Sequence, residues 1–212
     1  MKKYFLPAIS GVVLSLSVLL AVFWLCAFDW QWYEKAFSQL GVYQNFSPER
    51  VAGQTENLFA YLNNAAEIDQ SFYTVRELVH LQDIKKILLA LKIISAIIAA
   101  IFLAGSYLSW HGLGKEQTVR NIFWAGSFSL IFYLAAAVLL AKFFEPAFLW
   151  LHRLLFQNDF WQLDPAVESL IVIFPPALFA ALGLKIITSA VVVGLLIMAV
   201  SGVFFSFLRK RN

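Results

Sequence analysis

Thr74-Val-Arg-Glu-Leu-Val-His-Leu-Gln-Asp-Ile-Lys-Lys86 runs directly into Ile87-Leu-Leu-Ala-Leu-Lys-Ile-Ile-Ser-Ala-Ile-Ile-Ala-Ala-Ile-Phe-Leu-Ala-Gly-Ser-Tyr-Leu-Ser-Trp110. The second stretch is apolar for longer than the roughly 20 residues a helix needs to cross a bilayer. The first is polar and opens with Thr74-Val-Arg-Glu77, a capping box in which hydroxyl and carboxylate each satisfy the other residue's backbone N–H. One helix is therefore expected to start at Thr74 and run unbroken to Trp110. At 1.5 Å per residue, His80 then lies roughly 10 Å before the apolar run begins, at the water–lipid boundary. Arg76, Glu77, His80 and Asp83 recur at spacings of three and four and share one face. Lys92 is near enough to the end of the run to snorkel.

The rest of the chain has the same character. Of 212 residues, 61% are hydrophobic and 14% charged, against roughly a quarter charged in soluble domains, which makes this an integral membrane protein. Four runs are long enough to span, at about 6–28, 87–110, 122–144 and 186–208. Lipid offers the backbone no hydrogen-bond partner, so each is helical. The expected fold is thus a single all-α membrane domain over 1–212. It has four transmembrane helices, an extracytoplasmic cap at 29–86 and a short interfacial or re-entrant segment at 145–185 before the last helix. The first run is too long for the core of a signal peptide, and no small-residue cleavage site follows it. Cys26 is the only cysteine, which leaves no internal disulfide framework and no cysteine-based zinc cluster.

Charge sets the expected orientation. Lys2, Lys3, Lys115, Arg120, Arg209, Lys210 and Arg211 fall on one side with a single acid, Glu116, while the other 12 of the 13 acids fall opposite. By the positive-inside rule both termini and the 111–121 loop are cytoplasmic, and the long polar segments face outward. The basic residues are scattered at helix ends rather than gathered in a stripe, so nucleic-acid binding is not expected.

Within the cap, Trp30, Tyr33 and Phe37 are at helical spacing and suit the headgroup level. Ser47-Pro-Glu-Arg-Val51 reads as a helix start, with Val51, Leu58 and Leu62 on one face. In the second outer segment, Lys142-Phe-Phe-Glu145-Pro146 interrupts the third span. Phe148-Leu-Trp-Leu-His-Arg-Leu-Leu-Phe156 is too short to cross. A further helix is expected to begin at Asp164-Pro165, extended by Glu168, and to stop at Pro175-Pro176.

Two histidines lie in these outer segments: His80, with Glu77 and Asp83 within one turn, and His152, with Asn158 and Asp159 in the turn that follows. Histidine titrates closest to neutrality, so two of them at one boundary are suited to moving protons. Either neighbouring acid can fix the His80 tautomer or raise its pKa. His111, on the opposite side, reads as a solvated helix end. No metal-ligand spacing, glycine-flanked serine, phosphate loop or intramembrane acid points to another chemistry.

The pattern Thr74-x-Arg-Glu-x-x-His80-x-x-Asp83, then Phe148-x-x-x-His152-x-x-x-Phe156-x-Asn-Asp159-x-Trp161-x-Leu-Asp-Pro165 and Leu170-Ile-x-x-Phe174-Pro175, resembles the lipoprotein intramolecular transacylase family of Gram-positive bacteria. The likeness extends over the whole chain. It departs at Pro176, where the family leads one to expect an acid. The resemblance implies an acyltransferase of the bacterial plasma membrane, with its active site at the outer leaflet. Its substrate would be a diacylglyceryl-lipoprotein, whose sn-2 acyl chain moves onto the amine of the N-terminal cysteine to give the lyso form. It implies His80 and His152 as catalytic residues, needing no metal and no cofactor. Arg76, Glu77, Asp83, Trp150, Phe156, Asn158, Asp159 and Trp161 would support them or bind substrate. Membrane lipid is the surrounding partner, and a monomer suffices. Two other readings stay open: a non-catalytic membrane protein that binds lipid or a partner, and an acyltransferase acting on another lipid ester.

Overall fold

The computed structural model describes residues 2–211, with the side chains of residues 10–210. The charges expected at Lys2, Lys3 and Arg211 lie outside the described side chains, and Met1 and Asn212 outside the described residues altogether. The chain is all-α: α1 (Lys2–Cys26), α2 (Trp30–Gln39), a 3-10 turn (Val42–Gln44), α3 (Pro48–Leu62), α4 (Val75–Gly112), α5 (Lys115–Leu155), α6 (Ser169–Ile173) and α7 (Pro176–Arg211). Three helices, α4, α5 and α7, are long and apolar enough to cross a membrane. A fourth span is present if α1 and α2 are counted as one bent pair.

Contacts divide the chain into two compact units. Unit 1 comprises 1–26, 93–141 and 184–212, and unit 2 comprises 27–92 and 142–183. In unit 1 many large apolar side chains point outward: Ile93, Ile97, Leu103 and Leu108 are each more than half exposed, while Leu14, Val18 and Val22 are buried. Water would not tolerate such a surface over this area, whereas lipid covers it without cost. Inside, small residues and hydroxyls hold the helices together. The Ser15 and Ser129 hydroxyls meet at 2.8 Å, and the buried Tyr133 hydroxyl donates to the Ser15 carbonyl at 2.8 Å. Trp24 Nε1 donates to Ser95 Oγ at 3.0 Å. The turn from α4 to α5 requires Gly114, whose φ of +85° few other residues adopt.

Unit 2 has an ordinary packed interior. Tyr33 and Phe37 of α2 are buried, and both rings meet Phe174, at 6.3 and 5.7 Å. Tyr33 also meets Phe59 of α3 at 5.1 Å. Two of the three aromatics expected at headgroup level, Tyr33 and Phe37, therefore face protein. α3 buries Val51 and Leu58 as its pattern requires, but Tyr61 and Thr55 join them in place of Leu62.

α4 runs unbroken from Val75 to Gly112, and its capping box forms. The Thr74 N–H donates to Glu77 Oε2 at 2.6 Å and the Glu77 N–H to Thr74 Oγ1 at 3.3 Å. The interruption expected near Pro146 is a kink within α5 at Phe143, with φ −131° and ψ 27°. Proline removes one N–H and its ring displaces the carbonyl four residues back, so the break falls just before it. The segment that follows differs from its expected form. Phe148–Leu155 continues α5, and 165–167 form a turn rather than a helix, so α6 starts only at Ser169. The cause is Asp164, whose carboxylate accepts from the Ala166 N–H while its carbonyl accepts from Val167 and Glu168, which closes a local turn. α6 ends at Ile173, before Pro175-Pro176 as expected, but Pro176 also opens α7, where the missing N–H costs nothing, so the last helix begins well before 186.

Candidate active site

The site is built wholly within unit 2, from the first turns of α4, the last turns of α5 and the loop 156–168. His80 is carried by α4 on the face it shares with Glu77. The carboxylate is fully buried and the imidazole only 5% exposed. His152 lies one turn from the end of α5. The two imidazole centroids are 6.3 Å apart, and Phe156 touches both rings, at 4.7 Å from His80 and 5.5 Å from His152. Phe148 and Trp161 complete the surround of His152, at 4.1 and 5.2 Å. An apolar wall of this kind keeps bulk water from the two rings and strengthens polar interactions made beside them.

The histidines differ in what holds them. His152 Nδ1 lies 2.7 Å from the Phe148 carbonyl one turn earlier on the helix. A carbonyl only accepts, so Nδ1 carries the hydrogen and the lone pair of the neutral ring is at Nε2. His80 Nδ1, by contrast, is buried with no hydrogen-bond partner. Both positions precede the apolar run of α4 or follow the kink of α5. Burial, with the neighbouring His152 adding to it and Asp83 opposing, pushes the His80 pKa down to about 4.

Of the two acids beside His80, Asp83 raises its pKa as the sequence suggests, although burial outweighs it, and Glu77 acts otherwise. Glu77 does not raise the His80 pKa. Its second oxygen accepts from the Leu170 N–H at 2.6 Å, so the carboxylate fastens α6 to the start of α4. Asp83 accepts from Asn158 Nδ2 at 3.0 Å and from Lys86 at 3.1 Å, and these bonds hold its pKa below the usual carboxylate range. Asn158 Oδ1 accepts from the Phe160 N–H at 3.0 Å, so the side chain that donates to Asp83 also fixes the loop and ties it to α4. Arg76 donates to the Asp159 carbonyl at 3.0 Å and lies 4.0 Å from Glu168. The Asp159 carboxylate accepts from Gln162. Of the ten residues singled out from sequence, nine thus fall in one network of rings and hydrogen bonds. Trp150 does not: it lies two residues before His152, on another face of the helix, and is 64% exposed.

Two further polar groups belong to this region. Glu168, expected only to extend a helix, is buried and accepts from the Asp164 N–H. The Tyr73 hydroxyl is buried without a partner, and burial, with Glu77 and Asp69 adding to it, keeps it protonated well beyond the usual range. The Asp164-to-Glu168 spacing is a visible signal for the first, and the sequence around Tyr73 carries none. Among the described residues, no three His, Cys, Asp or Glu side chains gather as a metal site.

The sequence matches the model of a known family, the lipoprotein intramolecular transacylase Lit, over residues 8–179. No curated protein sequence matches it significantly. The fold is similar to that of the membrane integral lipoprotein intramolecular transacylase Lit from Bacillus cereus, with a TM-score of 0.84 at 16% identity, covering 100% of this chain and 99% of that one. Two variants of the same Bacillus cereus protein, with a histidine replaced by alanine or by arginine, give TM-scores of 0.78 and 0.74 at 15% and 17% identity. They cover 100% and 99% of this chain, and 96% of their own. At such identities the structural likeness is one of fold.

Proposed function

The chain belongs to the lipoprotein intramolecular transacylase family, a family of membrane acyltransferases, and from that premise we propose that His80 and His152 are the groups that move the proton. The donor is the sn-2 glyceryl ester of a diacylglyceryl-lipoprotein, and the acceptor is the α-amine of the same N-terminal cysteine. The amine nitrogen attacks the ester carbonyl carbon and loses a proton to the histidine pair. The C–O bond then breaks, and the glyceryl oxygen takes a proton back. One N–C bond forms and one C–O bond breaks, so neither water nor an acyl-enzyme is required. The product is the lyso form.

Counting from the amine through Cα, Cβ, sulfur, two glyceryl carbons and the ester oxygen to the carbonyl carbon gives an eight-membered ring. Such a ring is entropically poor in a flexible lipid, and holding the folded conformer contributes up to about 7–11 kcal/mol. Phe148, Phe156 and Trp161 are suited to that task. The observation that carries the reading is the approach of the two imidazoles to 6.3 Å beside Phe156. The tautomer of His152 leaves Nε2 as the acceptor in the resting pair. Burial lowers the His80 pKa to about 4, which makes His80 a weak base toward the amine and leaves His152 Nε2 as the first acceptor. The unpartnered Nδ1 of His80 awaits a group that the substrate supplies. Arg76 and Asn158 are donors for the tetrahedral oxyanion; Asp83 holds Asn158, and the Asp159 carbonyl and Glu168 hold Arg76.

Four spans, at about 6–28, 87–110, 122–144 and 186–208, would carry this site as one membrane domain in the plasma membrane. The cap 29–86 and the interfacial segment 145–185 would lie at the outer leaflet, and both termini in the cytoplasm. The arrangement requires no metal or cofactor, and a monomer suffices.

The test is intact mass and fragmentation of a reporter lipoprotein co-expressed with this chain in a host that leaves the cysteine amine free. Unchanged total mass with one acyl group moved onto nitrogen is the expected result. A free amine and an intact diacylglyceryl group, with the enzyme present in the membrane, would overturn the reading.

A further inference from the structure

Unit 1 contains a cavity of about 500 Å³ that the transacylation does not use, within the roughly 300–1,000 Å³ typical of ligand sites. It lies beside the turn from α4 to α5, and its walls are graded. Ile101 and Ile122 line an apolar part. Ser109, Thr118 and Asn121 line a polar part, and the last two are only 3% and 7% exposed. Thr118 Oγ1 donates to the Gly114 carbonyl at 3.0 Å, so the Ser109 hydroxyl, 2.9 Å away, is the donor between the two. Asn121 accepts from Gln117 through Oδ1 at 2.8 Å, which leaves its Nδ2 hydrogens for the cavity it lines. Gly105 and Gly112 widen the wall, since a Cβ at either would meet nothing within 4 Å.

The charge beside this cavity is net positive. Lys115 follows the lining residues Gly112 and Leu113, and Arg120 lies between Thr118 and Asn121, with Glu116 the only acid in the loop. Lys115 Nζ lies 5.5 Å over the ring of Trp110, and Tyr107 and Leu108 nearby are more than 60% exposed. An apolar slot that ends in amide and hydroxyl groups, next to two cations and interfacial aromatics, is complementary to a lipid with a negative headgroup.

We propose that this cavity is a binding site for one anionic phospholipid, with an acyl chain along Ile101 and Ile122, an ester carbonyl on Asn121 Nδ2 and the phosphate toward Lys115 and Arg120. The site rests on unit 1 alone and stands or falls apart from the histidine chemistry. The experiment is native mass spectrometry of the full chain released from nanodiscs of equal phosphatidylglycerol and phosphatidylcholine with matched acyl chains. One phosphatidylglycerol is expected to be retained about tenfold over phosphatidylcholine. The preference should fall to parity in the double variant Lys115→Gln, Arg120→Gln, and retention of either lipid should fall in Gly105→Leu, which fills the wall. Equal retention of the two lipids by the wild-type chain would overturn the proposal. So would a preference unmoved in the charge variant, or a mass showing a second copy of the chain whose loss follows Gly105→Leu. Both charged residues are at the surface, so the double variant decides the matter even if Gly105→Leu folds poorly.

Discussion

The two parts of α4 obey opposite rules. Before Lys92, in unit 2, the helix hides Glu77, His80 and Leu81; after it, in unit 1, Ile93, Ile97 and Ile101 stand 56%, 53% and 55% exposed. In unit 1 the polar groups that are buried are small and are satisfied by nearby backbone or by each other, as with Ser15, Ser129 and Tyr133. In unit 2 they include the ionisable Glu77, His80 and Glu168, and three polar atoms, Gln54 Oε1, Tyr73 Oη and His80 Nδ1, have no partner. A buried polar atom without a partner costs about 1–3 kcal/mol. Tolerating such a cost is usual where a site awaits its substrate, and its absence among the membrane hydroxyls marks that unit as frame. Loss of transfer is therefore expected from substitutions in unit 2, whereas removing the buried hydroxyls of unit 1 should act on stability alone.

The largest expected effect is at the histidines. His80→Ala and His152→Ala should each lower transfer in the reporter assay by about 10²–10⁴-fold, the usual weight of acid–base groups. Protein level in the membrane, measured alongside, lets the lost transfer be read per folded enzyme. Near wild-type product from either variant would remove the distinction drawn between the two units.

Glu77 comes next, and its effect should be mixed. It accepts backbone N–H groups from both Thr74 and Leu170. Glutamine offers one acceptor where two donors converge, so Glu77→Gln leaves a buried N–H unpaired and should destabilise the fold by about 1–3 kcal/mol. A lower melting temperature together with reduced transfer is expected. Lost activity at unchanged melting temperature would instead give Glu77 a direct chemical role.

These residues also show how far the sequence could be read. The capping box, the unbroken α4 and the shared face of Glu77 and His80 follow from local spacing, as does the kink before Pro146. The partner of Glu77 is 93 residues away, and the partner of Arg76 is 83 residues away. No local pattern announces a carboxylate that receives a distant N–H, so Glu77 reads as a neighbour of His80 rather than as a clasp. The start of α7 was hidden for another reason. Pro175-Pro176 reads as a stop, and α6 does end before it, yet a proline at the first helical position is equally a start, and the same pair opens α7. Trp150 was drawn in by its proximity in sequence to His152, although a separation of two residues on a helix points elsewhere.

A smaller effect concerns titration. Burial is the main reason that His80 stays neutral, and His152 is the second. Histidine NMR of the labelled enzyme should show one ring protonating only near pH 4. In His152→Gln that midpoint should rise yet remain below 6.5, because the larger cause is untouched. The sign for stability follows. Unfolded His80 binds a proton near pH 6.5 and folded His80 near 4, so its contribution is complete above 6.5 and is lost as pH falls between those values. The melting temperature should decline over that window, and His80→Asn should flatten the decline. A His80 midpoint at or above 6.5 would mean that water reaches the ring and that the wall made by Phe156 does not exclude it.

The smallest effect belongs to unit 1. Ser129 meets the Ser15 hydroxyl and donates to the Ala125 carbonyl within its own helix. Ser129→Ala removes one contact between α1 and α5 while leaving the backbone carbonyl its helical partner. Hydrogen bonds between membrane helices average about 0.6 kcal/mol, because the separated helices find other partners. The melting temperature in detergent should therefore fall by no more than a few degrees, with transfer to the reporter unchanged. A loss of transfer in this variant at normal stability would show that the hydroxyls of unit 1 act on the site in unit 2, and the division between frame and chemistry would have to be redrawn.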